Sequence, residues 1–287
     1  MAYAELSDVR CYFELLGSGD PVLLVPGLGS TCALWEQAID GLAESFSLIA
    51  VDNRDIGRSI GRRAPHTLSD FTADLVELLD HLQLERAHVI GLSLGGVIAQ
   101  QFAMDHPSRV DRLVLISTTH RFSRYLNEMV RLTARSLRYF STKAYWQTLE
   151  VLTVSPQYFD AHPDGVPTQI ATAKAFGIKR AAIARQLRCL ERSVGACDER
   201  AYRIEAPTLV IAGEKDVLIP SCYGREMAAA IPGSRFIQID GCGHNPFLEK
   251  PEVAVSCIRR FLTSARDQDG FPGNDAKRIT EEHSLIG

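Results

Sequence analysis

Short apolar runs alternate with stretches of helical periodicity along most of this chain. The runs are three or four residues long and lie between polar or glycine-rich segments, at 22–25, 48–51, 89–91, 113–116, 209–212 and 236–239. Continuous apolar runs, rather than alternating ones, are typical of parallel strands buried on both faces. The pattern therefore predicts an α/β fold with a mostly parallel sheet flanked by helices. The segment 9–16 is interpreted as an antiparallel edge strand.

Apolar side chains recur at helical spacing between the predicted strands. The clearest case follows Ser69, where Phe71, Leu75, Leu78 and Leu82 fall on one side of a helix. A serine directly before such a pattern predicts the N-cap, because its hydroxyl can accept a hydrogen bond from a free amide of the first turn.

The strand–helix alternation stops after Ser117. Residues 121–200 contain no comparable apolar run and are interpreted as several helices, which predicts a helical cap inserted after the sixth strand. The predicted core then comprises residues 1–120 and 201–265. The tail, 266–287, is polar and interrupted by glycine and proline, so we expect it to be disordered.

A candidate nucleophile lies where a predicted strand meets a predicted helix. Ser93 has Gly91 before it and Gly95 after it, follows the apolar run 87–90 and precedes an apolar helical stretch. A serine hydroxyl is a weak nucleophile unless a base takes its proton, and a tight strand-to-helix turn exposes it to that base. We expect Ser93 to be the catalytic nucleophile.

Two further residues complete a candidate catalytic triad. Asp216 follows the apolar run 209–212, and His244 follows the run 236–239 through a glycine-rich loop. Catalytic groups gather at the carboxyl ends of strands in open α/β sheets, so these side chains can converge with Ser93. His244 would act as the general base, and Asp216 would orient its imidazole. Asp240 is a weaker candidate for the acid, because it lies within the predicted strand.

An oxyanion intermediate would need two backbone donors aimed at the developing charge. One candidate is the amide of Leu94, directly after the nucleophile. The other is the amide of Leu28, in the glycine-rich loop that follows the run 22–25.

These motifs resemble those of the α/β-hydrolase superfamily. The resemblance rests on Pro26-Gly-Leu-Gly, on 52–59, on 91–96, on Gly213-Glu-Lys-Asp and on Gly241-Cys-Gly-His, which together span about residues 12–263. It implies an eight-stranded sheet with the cap after strand 6. The chain is similar to 3-oxoadipate enol-lactonases and aminoacrylate hydrolases, and the stretch 52–59 is similar to that of polyketide methylesterases. Pro26 stands where many relatives have histidine, and Asp55 replaces a common glycine.

Composition and charge argue against several classes of partner and cofactor. The 287 residues carry a net charge of −4, which argues against a nucleic-acid partner, and no apolar run has the length of a membrane span, so no membrane partner is expected. The seven cysteines form no C-x-x-C pair, which fits a reducing, cytoplasmic location. Cys242 is interpreted as a small loop residue. Neither the cysteines nor the histidines have metal-ligand spacing, so we expect no metal and no cofactor.

The predicted cap is basic, with 13 Lys or Arg against 7 Asp or Glu. Its arginines either steer an anionic ester or lactone to the site or form a solvated helix face. The aromatic residues Tyr139, Phe140 and Trp146 line either a substrate pocket or the core of the cap. His120 is a minor candidate for substrate contact, and Arg54 is interpreted as structural.

The resulting hypothesis is a serine hydrolase that cleaves a small carboxylic ester or lactone through an acyl-enzyme. Carbon–carbon bond hydrolysis and perhydrolysis use the same triad and stay open. A non-catalytic, ligand-binding receptor on the same fold is the alternative from another class. The sequence does not indicate an oligomeric state.

Overall fold

The computed structural model describes residues 2–61, 66–193 and 200–264, together with the backbone of 277–279. In this part of the chain the strands are β1 Ala2–Glu5, β2 Val9–Gly17, β3 Asp20–Val25, β4 Phe46–Val51, β5 Ile60–Gly61, β6 Ala87–Leu92, β7 Val110–Ile116, β8 Thr208–Gly213, β9 Arg235–Ile239 and β10 Lys277–Ile279. The α-helices are α1 Glu36–Ala43, α2 Leu68–His81, α3 Leu94–Asp105, α4 Arg124–Tyr139, α5 Thr142–Thr153, α6 Pro156–Ala161, α7 Gly165–Ala175, α8 Arg180–Arg192, α9 Ser221–Ala230, α10 Pro246–Glu249 and α11 Pro251–Thr263.

All of these strands belong to one mixed sheet in the order β1-β2-β4-β3-β6-β7-β8-β9-β10, with the two-residue β5 beside β2. The pairs from β4 through β10 are parallel, and the pairs that β2 forms are antiparallel. The eight longer strands match the predicted number, and β5 and β10 add two short ones. The alpha/beta fold with a mostly parallel sheet is thus confirmed.

Two details of the predicted sheet are wrong. Strand β2 is antiparallel as expected but is not the edge, because β1 pairs outside it with Ala4 opposite Cys11. Residues 277–279 of the tail predicted to be disordered form β10, parallel to β9. The remaining tail residues, 266–276 and 280–287, lie outside the described part of the chain.

The alternation of side chains along the strands divides the core into two clusters, one on each face of the sheet. Val89, Leu113 and Leu115 belong to the cluster that includes residues of α2, α3 and α9. Ile90 and Val114 belong to the other cluster, with residues of α1 and α11. Both faces are therefore covered, which explains why the central strands are apolar at consecutive positions.

Helix α2 begins earlier than predicted. Its N-cap is Thr67 rather than Ser69: Thr67 Oγ1 accepts a hydrogen bond from the Asp70 amide at 3.3 Å, and Asp70 Oδ2 accepts one from the Thr67 amide at 2.7 Å. This reciprocal pair satisfies two backbone donors at once, whereas a cap at Ser69 would leave them free.

Five helices, α4–α8, lie between β7 and β8, where the cap was predicted; β7 is the sixth strand when β5 is left aside. Their own core contains Leu137, Tyr145, Ile183 and Leu187, with Trp146 packed against it. Residues 194–199 of the predicted cap lie outside the described part. No helix among the described residues combines the length and hydrophobicity needed to cross a membrane.

Candidate active site

Ser93 occupies a strained turn between β6 and α3. Its φ of 55° and ψ of −118° lie outside the conformations that non-glycine residues usually adopt. The neighbouring strand end holds this turn, because the Ser93 amide donates to the Ile116 carbonyl at 2.9 Å and Thr118 Oγ1 donates to the Ser93 carbonyl at 2.8 Å. Such strain persists where the surrounding structure imposes it, and it is common at functional sites.

The glycines around Ser93 are required by close backbone contacts. A Cβ at Gly91 would lie 2.4 Å from the Gly95 carbonyl oxygen, and a Cβ at Gly95 would lie 2.0 Å from the Val25 carbonyl oxygen. A Cβ at Gly96 would lie 2.5 Å from Thr118 Cγ2. The small residues of the motif therefore let α3 pack directly against the strands that carry the turn.

Asp216 and His244 meet at the carboxyl ends of β8 and β9. His244 Nδ1 and Asp216 Oδ2 are 2.7 Å apart, and both side chains are buried. The Ile219 amide donates to the other carboxylate oxygen of Asp216 at 2.8 Å. A hydrogen bond from Nδ1–H to the carboxylate leaves Nε2 as the proton acceptor of the ring.

Of the three predicted side chains, the structure joins two by a hydrogen bond. Within the described residues, no hydrogen bond connects Ser93 Oγ with His244. The half-buried Ser93 side chain instead lines an internal cavity. Nucleophile–base hydrogen bonds in unliganded enzymes are often long and shorten when substrate binds.

The loop that carries His244 is tied to the helices between β7 and β8. The His244 amide donates to the Thr153 carbonyl at 2.8 Å. Glu249 accepts from the Gly243 amide at 2.9 Å and from the Ser155 amide at 3.0 Å. Burial raises the pKa of Glu249, and these two amides oppose the rise. No sequence motif predicted these contacts of Glu249.

The loop after β3 is fixed from two sides. The Asn53 side-chain amide donates to the Pro26 carbonyl at 3.1 Å, and the Gly29 amide donates to Oε1 of Gln186 at 2.8 Å. Among the described residues, the amides of Leu28 and Leu94 donate to no protein atom, so both are available to a ligand. Gln186 lies on α8 and was not predicted, because its contact depends on how this helix packs.

The cavity beside Ser93 has an apolar lining and a volume of about 80 Å³. Besides Ser93, its polar residues are Thr119 and Thr133; the others are apolar, namely Leu28, Leu94, Val97, Phe122, Leu126, Met129, Val130, Leu149, Leu187, Leu190, Leu218 and Ile219. Among the described residues, no charged side chain lines it. The arginines of the helices between β7 and β8 are therefore not placed to hold an anionic group inside this cavity.

The other residues that the sequence suggested for substrate contact or catalysis do not line this cavity. His120 is buried but does not line the cavity, whereas its neighbour Thr119 does. Trp146 packs in the core of the helices, while Tyr139 and Phe140 are exposed and form neither a pocket nor a core. Asp240 lies just beyond β9, in the turn before the histidine loop, and is not the partner of His244.

Arg54 has the predicted structural role. It is buried, and its guanidinium contacts both carboxylate oxygens of Asp74, at 2.6 and 2.7 Å. Asp55, which stands where similar sequences commonly have glycine, has a φ of 66°. One of its carboxylate oxygens contacts both His66 and Arg185, each at 2.7 Å. Because Arg185 lies on α8, the aspartate links this loop to α8.

Metal-ligating side chains are not clustered in the described part of the chain. Among the described residues, no three His, Cys, Asp or Glu side chains are grouped so that they could hold an ion. Burial raises the pKa of Cys242, with the charges of Glu249 and Asp216 acting in the same direction, so this thiol is a poor nucleophile.

Comparison with known proteins identifies similar chains over almost the full length. A family model described as alpha/beta hydrolase fold matches residues 20–251. RutD of Azorhizobium caulinodans, whose name proposes a carbamate hydrolase, is 27% identical over 261 residues, which cover 91% of this chain and 98% of RutD.

Two solved structures are similar to this one. The enol-lactonase from Burkholderia xenovorans LB400 is 25% identical with a TM-score of 0.80, over 92% of this chain and 100% of the lactonase. A thermophilic esterase from Thermogutta terrifontis, with malate bound, is 26% identical with a TM-score of 0.80, over 91% of this chain and 98% of the esterase.

Proposed function

This chain belongs to the alpha/beta hydrolase fold family, and we propose that it is a serine hydrolase that cleaves a small, neutral carboxylic ester or lactone. The observation that carries the proposal is the buried contact of 2.7 Å between Asp216 and His244, at the same sheet edge as the strained turn of Ser93. An oriented imidazole and a hydroxyl that faces the substrate cavity are two groups that acyl transfer requires.

In the proposed mechanism, Ser93 Oγ attacks the carbonyl carbon of the substrate while His244 Nε2 takes the hydroxyl proton. Asp216 holds the ring and stabilises its positive charge. The free amides of Leu28 and Leu94 donate to the oxyanion, and His244 then returns the proton to the leaving alkoxide. In the second half, His244 Nε2 takes a proton from water while the water oxygen attacks the acyl carbon. The bond between that carbon and Ser93 Oγ then breaks, and His244 returns the proton to Ser93 Oγ, which releases the acid.

The lining of the cavity supports a neutral and largely apolar substrate. A charged group placed among leucine, valine and methionine side chains would lose its hydration without gaining a partner, which is costly. The sequence also suggested an anionic ester as substrate, but among the described residues no basic side chain lines the cavity to bind its charge. Relatives named as an enol-lactonase and an esterase support ester or lactone chemistry for this chain.

A fluorophosphonate probe and a substrate panel test the proposal. The probe should label Ser93 in the wild type and fail to label Ser93→Ala, and turnover should fall by about 10⁶-fold in Ser93→Ala. Asp216→Asn should lower turnover by about 10⁴-fold. Among substrates, uncharged apolar esters should have a higher kcat/KM than esters of the same length that carry a carboxylate.

The chain offers matched controls. Ser117 also follows a parallel strand and has a φ of 46°, but its hydroxyl is buried and has no hydrogen-bond partner among the described residues. Ser117→Ala should therefore keep both labelling and turnover. Asp240→Asn should likewise stay within tenfold of the wild type. An unlabelled wild type would favour a ligand-binding receptor, and turnover of dienones but not of esters would favour carbon–carbon bond hydrolysis.

A further inference from the structure

One long face of α4 is exposed and combines positive charge with apolar side chains. Residues seven apart on a helix share a face, and so do residues three or four apart. The exposed residues of this face are Arg124, Tyr125, Glu128, Arg131, Leu132, Arg135, Arg138 and Tyr139. We call these eight residues the α4 outer face.

The charge of this face is largely uncompensated. Glu128 pairs with Arg131, but within the described residues Arg124, Arg135 and Arg138 form no ion pair. The segment 121–200 carries 13 basic and 7 acidic residues, whereas the whole chain has a net charge of −4, so the remainder of the chain is acidic. An anionic surface would attract this side of the molecule and repel the others.

Apolar side chains form a row beside the arginines. Tyr125, Leu132 and Tyr139 are spaced by seven residues and are 45%, 43% and 71% exposed. Phe140, directly after the helix, is 47% exposed. Aromatic and leucine side chains next to basic ones are typical of helices that lie in the interface of a lipid bilayer.

The opposite face of the same helix lines the cavity beside Ser93. Leu126, Met129, Val130 and Thr133 are all part of that lining. Val130 also borders a surface groove with Asn127, Arg131 and Glu191, between α4 and α8. This groove and the apolar cavity therefore share a wall, and the shared wall belongs to the helix that carries the outer face.

We propose that the α4 outer face docks on an anionic lipid surface and that an apolar ester passes from the lipid to Ser93 through the groove between α4 and α8. The arginines supply the attraction to lipid phosphates, and Leu132 and Tyr139 insert among the headgroups, whereas the Tyr125 hydroxyl donates to the Val217 carbonyl. A purely polar anionic polymer would satisfy the arginines but not this apolar row. An apolar substrate also concentrates in lipid, which matches the lining of the cavity.

The sequence-based expectation of no membrane partner rested on the lack of a spanning segment. Peripheral docking needs no such segment, because it depends on charge and on a few exposed apolar side chains. Delivery of substrate to Ser93 rests on the proposed esterase function, whereas docking itself does not. Binding to vesicles that contain no substrate therefore tests the docking alone.

The test is sedimentation of the full chain with phosphatidylcholine vesicles, with or without about one third phosphatidylglycerol. The wild type should bind the anionic vesicles and not the neutral ones, and high salt should release it. Each arginine near such a surface contributes roughly a fivefold gain in partitioning, so the triple variant Arg124→Gln, Arg135→Gln, Arg138→Gln should bind about 100-fold more weakly. Leu132→Ser with Tyr139→Ser should also weaken binding, by about tenfold.

The matched control carries the same charge change on other surfaces. Arg10, Arg86 and Arg259 are about half exposed and lie outside α4–α8. Their triple glutamine variant should bind like the wild type. Equal losses in both triple variants, or a wild type that ignores anionic vesicles, would overturn the proposal. Binding to polyglutamate or DNA without binding to vesicles would also overturn it and assign the face to an acidic polymer.

Discussion

The backbone amide of Gly29 donates a hydrogen bond of 2.8 Å to Oε1 of Gln186. Gln186 is fully buried on α8, and Gly29, with a φ of 65°, directly follows Leu28. This hydrogen bond connects the inserted helices to the loop whose amide is the proposed oxyanion donor. Through it, the packing of α8 sets where the Leu28 amide points.

The first prediction concerns this hydrogen bond. Gln186→Leu removes the acceptor and should lower kcat by about 10- to 100-fold while KM changes little, because a displaced oxyanion donor weakens transition-state binding more than substrate binding. Gln186→Glu keeps an oxygen at the acceptor position and should recover part of kcat. Gln101→Leu removes another buried glutamine, away from the loop, and should leave kcat unchanged. Steady-state kinetics would contradict the positioning role if Gln186→Leu raised KM alone.

The second prediction concerns the glycines at Ser93. Gly95→Ala would place its Cβ 2.0 Å from the Val25 carbonyl oxygen, so α3 must shift away from the sheet. Labelling of Ser93 by a fluorophosphonate should be lost. Gly177→Ala is the control: its φ of 65° adds strain of about 1 kcal/mol, but no atom lies within 4 Å of the added Cβ. Retained labelling in soluble Gly95→Ala protein would contradict the close packing of this turn.

The sequence predicted the parts of the fold that local patterns determine. Apolar runs locate the buried parallel strands, because both of their faces are covered, and the glycines at 91 and 95 indicate the tight turn at Ser93. The predicted partnership of Asp216 and His244 agrees with their hydrogen bond, since both follow neighbouring parallel strands. The roles of these residues in catalysis stay predictions.

Contacts between distant segments could not be predicted in this way. The bonds of Gln186 to Gly29 and of Glu249 to Ser155 join residues 157 and 94 positions apart, and no local pattern specifies them. The short strand β1 was missed because its four residues contain none of the Val, Leu and Ile side chains that marked the other predicted strands. The number of arginines in 121–200 suggested an anionic substrate, but charge counts do not tell on which side of a helix a residue lies.

The third prediction concerns a buried carboxyl group. Glu150 on α5 is buried and forms no side-chain hydrogen bond within the described residues, and burial raises its pKa. The folded state then binds this proton more tightly than the unfolded state. Its contribution to stability is therefore fully present below the ordinary glutamate pKa and is lost as the pH rises through the raised value.

Glu150→Gln should remove this pH dependence. At neutral pH the variant should melt about 2–4 °C above the wild type, the shift that roughly 1 kcal/mol produces in a large domain. The difference should shrink at acidic pH, where Glu150 is protonated in both states. Glu85→Gln changes an exposed glutamate and should alter Tm little at either pH. Thermal melts in which Glu150→Gln is less stable than the wild type at neutral pH would show that the ionised carboxylate has a favourable partner.

The fourth prediction concerns the cysteines. Cys222 on α9 is exposed, whereas Cys242 is buried, and burial raises the pKa of Cys11 to about 12 and that of Cys257 to about 11. Because the thiolate is the reactive form, iodoacetamide at mildly alkaline pH should modify Cys222 in the native protein and leave these buried thiols intact. Hydrolysis should continue after the modification, as expected for a serine rather than a thiol nucleophile.

Peptide mass spectrometry measures the modification of each cysteine, and unfolding in guanidinium should make all of them react. Alkylation of Cys242 in the native protein, accompanied by loss of turnover in Cys242→Ser, would instead place a reactive thiol beside His244.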